Sequence, residues 1–483
     1  MYRLRQMELD DKVCEQVSLT LLSAVYAPEV IERCVQQSAP WSTKARRVRA
    51  STVLSLVLFV LGMALWSRLN QCQVWQKLVG GLSHLHPGQR QESMSDAGLS
   101  GRRQALGSQG LQRLMAACCQ VLAEPVKMPS AFFGRYRLMA IDGTLFNTPD
   151  TPANDAAFGR SRNQYGPGPY PQVRCVLLSE CGSHAGVGLE LERYDGSEVH
   201  AAHRLLEQVG PNMLVLVDAG ITSGGFLEHA RQRRAHVLGA LEAGVWEQLP
   251  KQRRLADGSV LAWVGPTRPS HARYPVRRGL WVRLLSYQVT DARLGELGKV
   301  YRLVTTLLNP RVAPALTLIA LYHERWEIEL VFDELKTHER AQRKVLRSKT
   351  PEGVRQELYA LFLAHYAVRV LLAQAASEAD LDPDRLSFSE GLFELSEMIT
   401  FALPLEQATS TPLLARLRQR MASHVLPARR LRITRREVKH VYNKYKPKKR
   451  DLPPPDPFGP EERFLDFVAL LDPLASRLAV GDP

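Results

Sequence analysis

The sequence predicts an α/β core set between helical regions, and three observations predict it. Residues 212–225 read NMLVLVDAGITSGG. Met213 to Val217 is an unbroken apolar run, as in a strand buried on both faces, and Asp218 ends it before Gly220, Gly224 and Gly225. Strand-like runs at Val173–Leu178 and Gly186–Arg193, then a helix-like run at Val199–Val209, lie between an earlier strand-like segment, 135–151, and that one. Strands and helices in this order build a sheet covered by helices. Residues 1–130 and 350–400, by contrast, read as helix.

Taken in order, residues 1–130 form an N-terminal helical domain. Its strongest element is the apolar run Val53–Trp66, flanked by Arg49 and Arg68. This run is shorter than the ~18 residues that read as membrane-spanning, so a buried core helix is expected and no membrane partner. A second helix is expected from about Leu99 to Ala123. Basic patches stand at Lys44–Arg49 and Arg102–Arg103. The opening MYRLRQMELDDK lacks the apolar core of a signal peptide. The seven cysteines (Cys14, Cys34, Cys72, Cys118, Cys119, Cys175 and Cys181) form no CxxC pair and are odd in number. Reduced thiols in a cytoplasmic protein are expected, with neither a zinc site nor a disulfide framework.

The catalytic domain is expected over 131–345. It begins with RYRLMAIDGTLFNTPDT (135–151), which carries Asp142 just before Gly143. After the Asp218 strand a helix is expected over Phe226–Arg234. The runs Val260–Val264, Leu280–Val289 and Val300–Leu308, separated by Gly, Pro and Asp, predict a β-rich insertion at about 242–310. Residues 321–336, LYHERWEIELVFDELK, then predict one helix. Tyr322, Arg325, Glu329 and Lys336 fall within roughly a 60° arc of an ideal helix, at about 100° per residue. Leu321, Ile328, Phe332 and Leu335 form an apolar stripe beside that arc.

A helical C-terminal region, 346–483, completes the chain. It carries a basic tract at 429–450 with Tyr442 and Tyr445 interleaved, and a break at DLPPPDP (451–457). Such a density of Lys and Arg tracks a phosphate backbone, and the net charge of +14 agrees with a polyanionic partner.

An isolated Asp at a strand end is often a turn residue, and Glu with Arg at helical spacing is often a surface ion pair. Two such aspartates and the polar helix face together are better explained as a three-carboxylate metal site. Helix geometry allows either Glu329 or Asp333 as the third carboxylate.

The spacing Tyr-x2-Arg-x3-Glu-x6-Lys at Tyr322, Arg325, Glu329 and Lys336 resembles the signature of bacterial insertion-sequence transposases of the fourth family. IDGTLFNTPDTPAN around Asp142, LVLVDAG around Asp218 and VLRSKTPEGVRQELYALFLAHYAVR (345–369) are similar to other segments of that family, so the likeness runs from about residue 40 to about residue 450. It implies an RNase H-like catalytic core and a triad of Asp142, Asp218 and Glu329. Two Mg²⁺ ions, with Mn²⁺ as an alternative, would sit about 4 Å apart on the triad. Tyr322, Arg325 and Lys336 would hold the phosphates flanking the scissile bond.

The same resemblance implies that Tyr301 stacks a flipped base, and that Arg46, Arg47 and Arg49 contact the terminal inverted repeats. The partners implied are double-stranded DNA, as element ends and target, and a second copy of the chain in a synaptic homodimer. The site of action implied is the bacterial nucleoid. An RNase H-like nuclease without strand transfer, or a domesticated DNA-binding protein, would share the core; the intact phosphate signature and the intact triad speak against them.

Overall fold

Apolar residues at helical spacing make the first part of the chain helical, and a computed structural model shows how those helices are seated. It describes Leu22 and residues 24–38, 50–80, 95–164, 166–268, 273–290, 297–322, 325, 327–339, 344–401, 410–427 and 464–472. Arg46, Arg47, Arg49 and the tract 429–450 lie outside the described residues. The chain divides into two compact units: Met1–Gln208 with Trp326–Leu426, and Val209–Arg325 with Pro427–Pro483.

The first unit opens with α1 (Pro28–Gln36), α2 (Ala50–Leu65), α3 (Gln71–Gly80), α4 (Asp96–Leu106) and α5 (Gln109–Cys118). From Val53 to Leu65, α2 is buried nearly all round, as an apolar core helix should be. Where one helix is expected over Leu99–Ala123, two form. Gly107 takes φ 65° and ends α4, a conformation open to glycine, and Ser108 begins the next turn.

Next come β1 (Phe132–Phe133), β2 (Tyr136–Asn147), α6 (Pro152–Phe158), the small pair β3 (Arg162–Asn163) and β4 (Gly166–Pro167), β5 (Gln172–Glu180), β6 (Gly186–Arg193) and α7 (Glu198–Leu205). Strands β2, β5 and β6 pair antiparallel, with Asp142 opposite Leu177. Helix α7, capped by Ser197, packs on β5 and β6.

The second unit holds β7 (Met213–Val217), α8 (Gly224–Gln232), β8 (His236–Ala240), α9 (Ala243–Gln248), β9 (Lys251–Arg254), β10 (Val260–Val264), β11 (Leu280–Val289), β12 (Tyr301–Thr305) and α10 (Ala315–Tyr322). Its sheet is mixed. β7 and β8 are parallel, with α8 as the crossover, and β8, β12, β11, β10 and β9 follow antiparallel in that order. Arg283 is fully buried in this sheet; it donates to Ser259 Oγ at 2.6 Å and pairs with Asp257, whose carboxylate also accepts from Ala315 N at the start of α10.

The chain then returns to the first unit with α11 (Glu327–Asp333), a π-helical turn at Glu334–Glu339, α12 (Pro351–Glu378), α13 (Phe388–Phe401) and α14 (Ser410–Ser423). A last strand, β13 (Val468–Leu471), pairs with β11 of the second unit.

The single helix expected over 321–336 is therefore not formed. α10 ends at Tyr322 and α11 starts at Glu327. Each of these two side chains has its own anchor: Tyr322 donates to Val217 O at 3.1 Å, and Glu327 accepts from His184 at 2.6 Å. On an ideal helix, residues five apart point about 140° away from each other.

Helix α12 is the axis of the first unit. Pro351 at its first turn and the Thr350 cap start it, and it packs on α2, α5, α13 and α14. By length and composition it could cross a membrane, but 89% of its apolar window is buried inside the protein, which makes it a core helix. Polar links fasten the N-terminal helices to it: Tyr26 donates to Leu363 O at 2.6 Å, and Ser108 Oγ to Glu352 at 2.7 Å.

Candidate active site

Successive side chains of a strand point to opposite faces, so Asp142, Thr144 and Phe146 share one face of β2 while Gly143 turns to the other. Asp142 is half-buried and accepts from Gly143 N at 2.8 Å. Helix α11 packs against β2 and carries Glu329, half-buried beside the buried Ile328, Val331 and Phe332. Asp333, the other carboxylate that spacing allows, is exposed. Lys336, in the π turn, donates to Thr144 Oγ1 and lies 5.3 Å from the centre of the Phe146 ring. Its ammonium thus reaches the β2 face that carries Asp142. Strand aspartate, helix glutamate and lysine come from adjacent elements of one unit.

In the second unit Asp218 ends β7, where it has two roles in the turn. Its Oδ1 accepts from Ile221 N at 3.0 Å, and its main-chain oxygen accepts from Thr222 Oγ1 at 2.7 Å. Ser223 then caps α8 by accepting from Phe226 N. Tyr322 lies beside this strand end through its bond to Val217 O, and the Arg325 guanidinium stands 5.9 Å from the Tyr322 ring centre. Burial, with the nearby Asp218 charge, pushes the Tyr322 hydroxyl up to about 12 against the pull of Arg325, so it keeps its proton. Asp218, Tyr322 and Arg325 are grouped in this unit.

Tyr301 begins β12, and its ring stacks on Tyr287 of β11 at 5.1 Å, with Lys299 over it at 5.5 Å.

One cluster beside the predicted residues was missed by sequence reasoning. In the first unit His184, Glu327, Glu334, His365, Arg369 and Asp384 meet in a buried network. His184 Nε2 is 2.6 Å from Glu327 and 3.4 Å from Asp384; His365 Nε2 donates to Glu334 at 2.8 Å; Arg369 donates to both Glu334 oxygens and, at 2.6 Å, to His184 Nδ1. Burial opposes the charge on Glu334, but Arg369 and His184 outweigh it and hold the carboxyl well below the usual range. The available signal was Glu327 and Glu334 seven residues apart, together with His365 and Arg369 at i, i+4 on an otherwise apolar helix.

His184, Glu327 and Asp384 place ligand-type atoms within 4.8 Å of one another, as a metal site would. His184 Nδ1 faces both Arg369, at 2.6 Å, and Glu334 Oε1, at 3.2 Å, while Nε2 faces Glu327. Burial and Arg369 oppose charge on the His184 ring. Glu334, Asp384 and Glu327 outweigh them and raise the ring's pKa to about 9.

The chain is similar to known families and proteins. The family described as Transposase DDE domain matches residues 133–367, and that described as Insertion element 4 transposase N-terminal matches residues 16–116. The "Transposase InsG for insertion sequence element IS4" of Escherichia coli (strain K12) is 32% identical over 435 residues, covering 88% of this chain and 93% of that protein. The "Putative transposase InsZ" of the same organism is 28% identical over 138 residues, covering 28% of this chain and 46% of that protein. The family match and the likeness define a metal-dependent DNA-cleaving enzyme. The chain belongs to the IS4 family of DDE transposases.

Proposed function

We propose that this transposase cleaves the ends of an insertion sequence and joins them to target DNA, with Asp142, Asp218 and Glu329 as its metal-holding carboxylates. The observation that carries the assignment is the meeting of Lys336 with Thr144 on the β2 face of Asp142, against which the Glu329 helix packs. Half-buried carboxylates with a lysine at hand fit a hard divalent cation, Mg²⁺ or Mn²⁺, and two ions suit in-line attack on a phosphodiester. When bound, such ions lower the pKa of the attacking water or 3′-hydroxyl and offset charge on the leaving oxygen.

The remaining work falls to the chain's own groups. Lys336 and Arg325 supply fixed positive charge to the phosphates flanking the scissile bond. Tyr322 keeps its proton on Val217 O, and so holds α10 beside Asp218 and gives Arg325 a ring to lie over. Tyr301 stacks a flipped base at the element end. The core is of the RNase H-like kind, the helical region 1–130 with Arg46, Arg47 and Arg49 binds the element ends, 131–345 is catalytic, and two copies synapse the ends at the bacterial nucleoid.

Asp142→Asn, Asp218→Asn and Glu329→Gln are each expected to abolish Mg²⁺-dependent end cleavage while leaving end-DNA binding in place; Asp333→Asn is expected to be milder. Normal cleavage by Glu329→Gln together with its loss in Asp333→Asn would transfer the third ligand to Asp333.

A further inference from the structure

Glu329 is bracketed by two buried carboxylates that take no part in the reaction proposed above. Glu327 precedes it by two residues and Glu334 follows it by five, at the start of the π turn that carries Lys336. Burying such charges is unfavourable unless each is paired and hydrogen-bonded. Both are. Glu327 accepts from His184, in the turn between β5 and β6; Glu334 accepts from His365 and Arg369, one helical turn apart on α12. His184 itself takes φ 60°, a left-handed conformation unusual outside glycine, and its main-chain N donates to Glu180 O at 3.1 Å, which fixes the ring's direction. Arg369 closes the ring of contacts by donating to both Glu334 and His184.

Two separate elements, the β5–β6 turn and α12, therefore hold Glu327 and Glu334, the two ends of a seven-residue span. Such pinning determines how α11 is rotated about its axis and where the helix widens from i→i+4 to i→i+5 bonding. Glu329 and Lys336 depend on both: rotation aims the carboxylate, and the wide turn places the lysine at Thr144. π-helical turns occur frequently at functional sites, where they re-aim side chains.

We propose that His184, His365 and Arg369 are positioning residues which, through Glu327 and Glu334, fix the orientation of Glu329 and Lys336 for metal and phosphate binding. The inference rests on Glu329 being a metal ligand. Outer partners of this kind typically contribute about 10- to 100-fold to metal affinity.

The test uses the full-length protein and Mn²⁺, followed both by the half-saturating concentration for end cleavage and by direct binding, from the electron paramagnetic resonance signal of free Mn²⁺. His184→Ala is expected to raise both values about tenfold or more, with metal-free end-DNA binding unchanged. His184→Gln, which returns an N–H near the position of Nε2, is expected to restore most of the affinity. Arg369→Lys keeps the buried charge but loses the fork across Glu334 and His184, and so gives the same rise in a protein that retains its fold. Unchanged Mn²⁺ binding and half-saturation in folded His184→Ala and Arg369→Lys would overturn the positioning role. Glu329→Gln is the separate control: if it still bound Mn²⁺ and cleaved normally, the ligand assignment beneath the proposal would fall, whatever the other variants did.

Discussion

At position 143 the missing side chain is what allows β2 to carry Asp142 where it does. A Cβ built on Gly143 would lie 2.3 Å from Glu198 Oε1 and 2.7 Å from its Cδ. That carboxylate is held by Arg174 at 2.8 Å and stands at the first turn of α7, so it cannot swing away without breaking an ion pair. Gly143→Ala is therefore expected to destabilise the protein by about 1–2 kcal/mol and to lower cleavage by displacing Asp142. In a Glu198→Ala background the same substitution should cost almost nothing in stability. Denaturant unfolding of the four proteins of this cycle measures the coupling directly, and an undiminished cost with Glu198 absent would place the strain elsewhere. The IDGT segment marks this aspartate in the sequence, but the side chain behind the glycine comes from residue 198 and has no local signal.

Elements show where sequence pattern reaches and where it stops. β6, β7, β10 and β11 occupy the same residues that their apolar runs predict. The signature segment does not behave as the single helix its periodicity predicts, because Tyr322 and Glu327 are each seated on a buried partner of their own. Arg325 follows α10 in the second unit, its guanidinium 5.9 Å from the centre of the Tyr322 ring. A guanidinium so placed is suited to fixing a phosphate. Joining demands that fixation more than nicking does, since nicking uses abundant water whereas joining must aim one 3′-hydroxyl at a second phosphodiester. Arg325→Ala is expected to depress strand transfer at least tenfold more than first-strand nicking. Purified protein, DNA carrying the element's own ends, an unlabelled plasmid and Mg²⁺ provide the assay; equal loss of both products would remove Arg325 from the joining step.

Over the whole molecule, a net charge of +14 is concentrated toward the C-terminal part by the tract Arg429–Arg450, in which Glu437 is the lone acid. Phosphate contacts release counterions, so each contact adds about 0.9 to the slope of log affinity against log salt on duplex DNA. Deleting 429–450 is expected to weaken DNA binding and to flatten that slope by several such increments, with cleavage chemistry retained at low salt. A slope unchanged by the deletion would show that the tract makes no phosphate contacts. In the first unit, Tyr26, Ser108 and Arg103 fasten the N-terminal helices to α12.

By itself the sequence determined the class of enzyme, the order of the strands around Asp142 and Asp218, and the apolar identity of the core helix near residue 60. These are properties of runs of five to fifteen residues, where strand alternation, helical period and motif spacing act within one segment. Tertiary structure alone decided that the signature helix breaks, that Leu99–Ala123 splits at Gly107, that Tyr301 stacks on Tyr287, and that a buried His–Glu–Arg network anchors the helix of Glu329. The reason is the cost of burying polar groups: a charge inside the protein needs a partner. Glu327 finds its partner 143 positions away in the chain, a pairing no local pattern can encode.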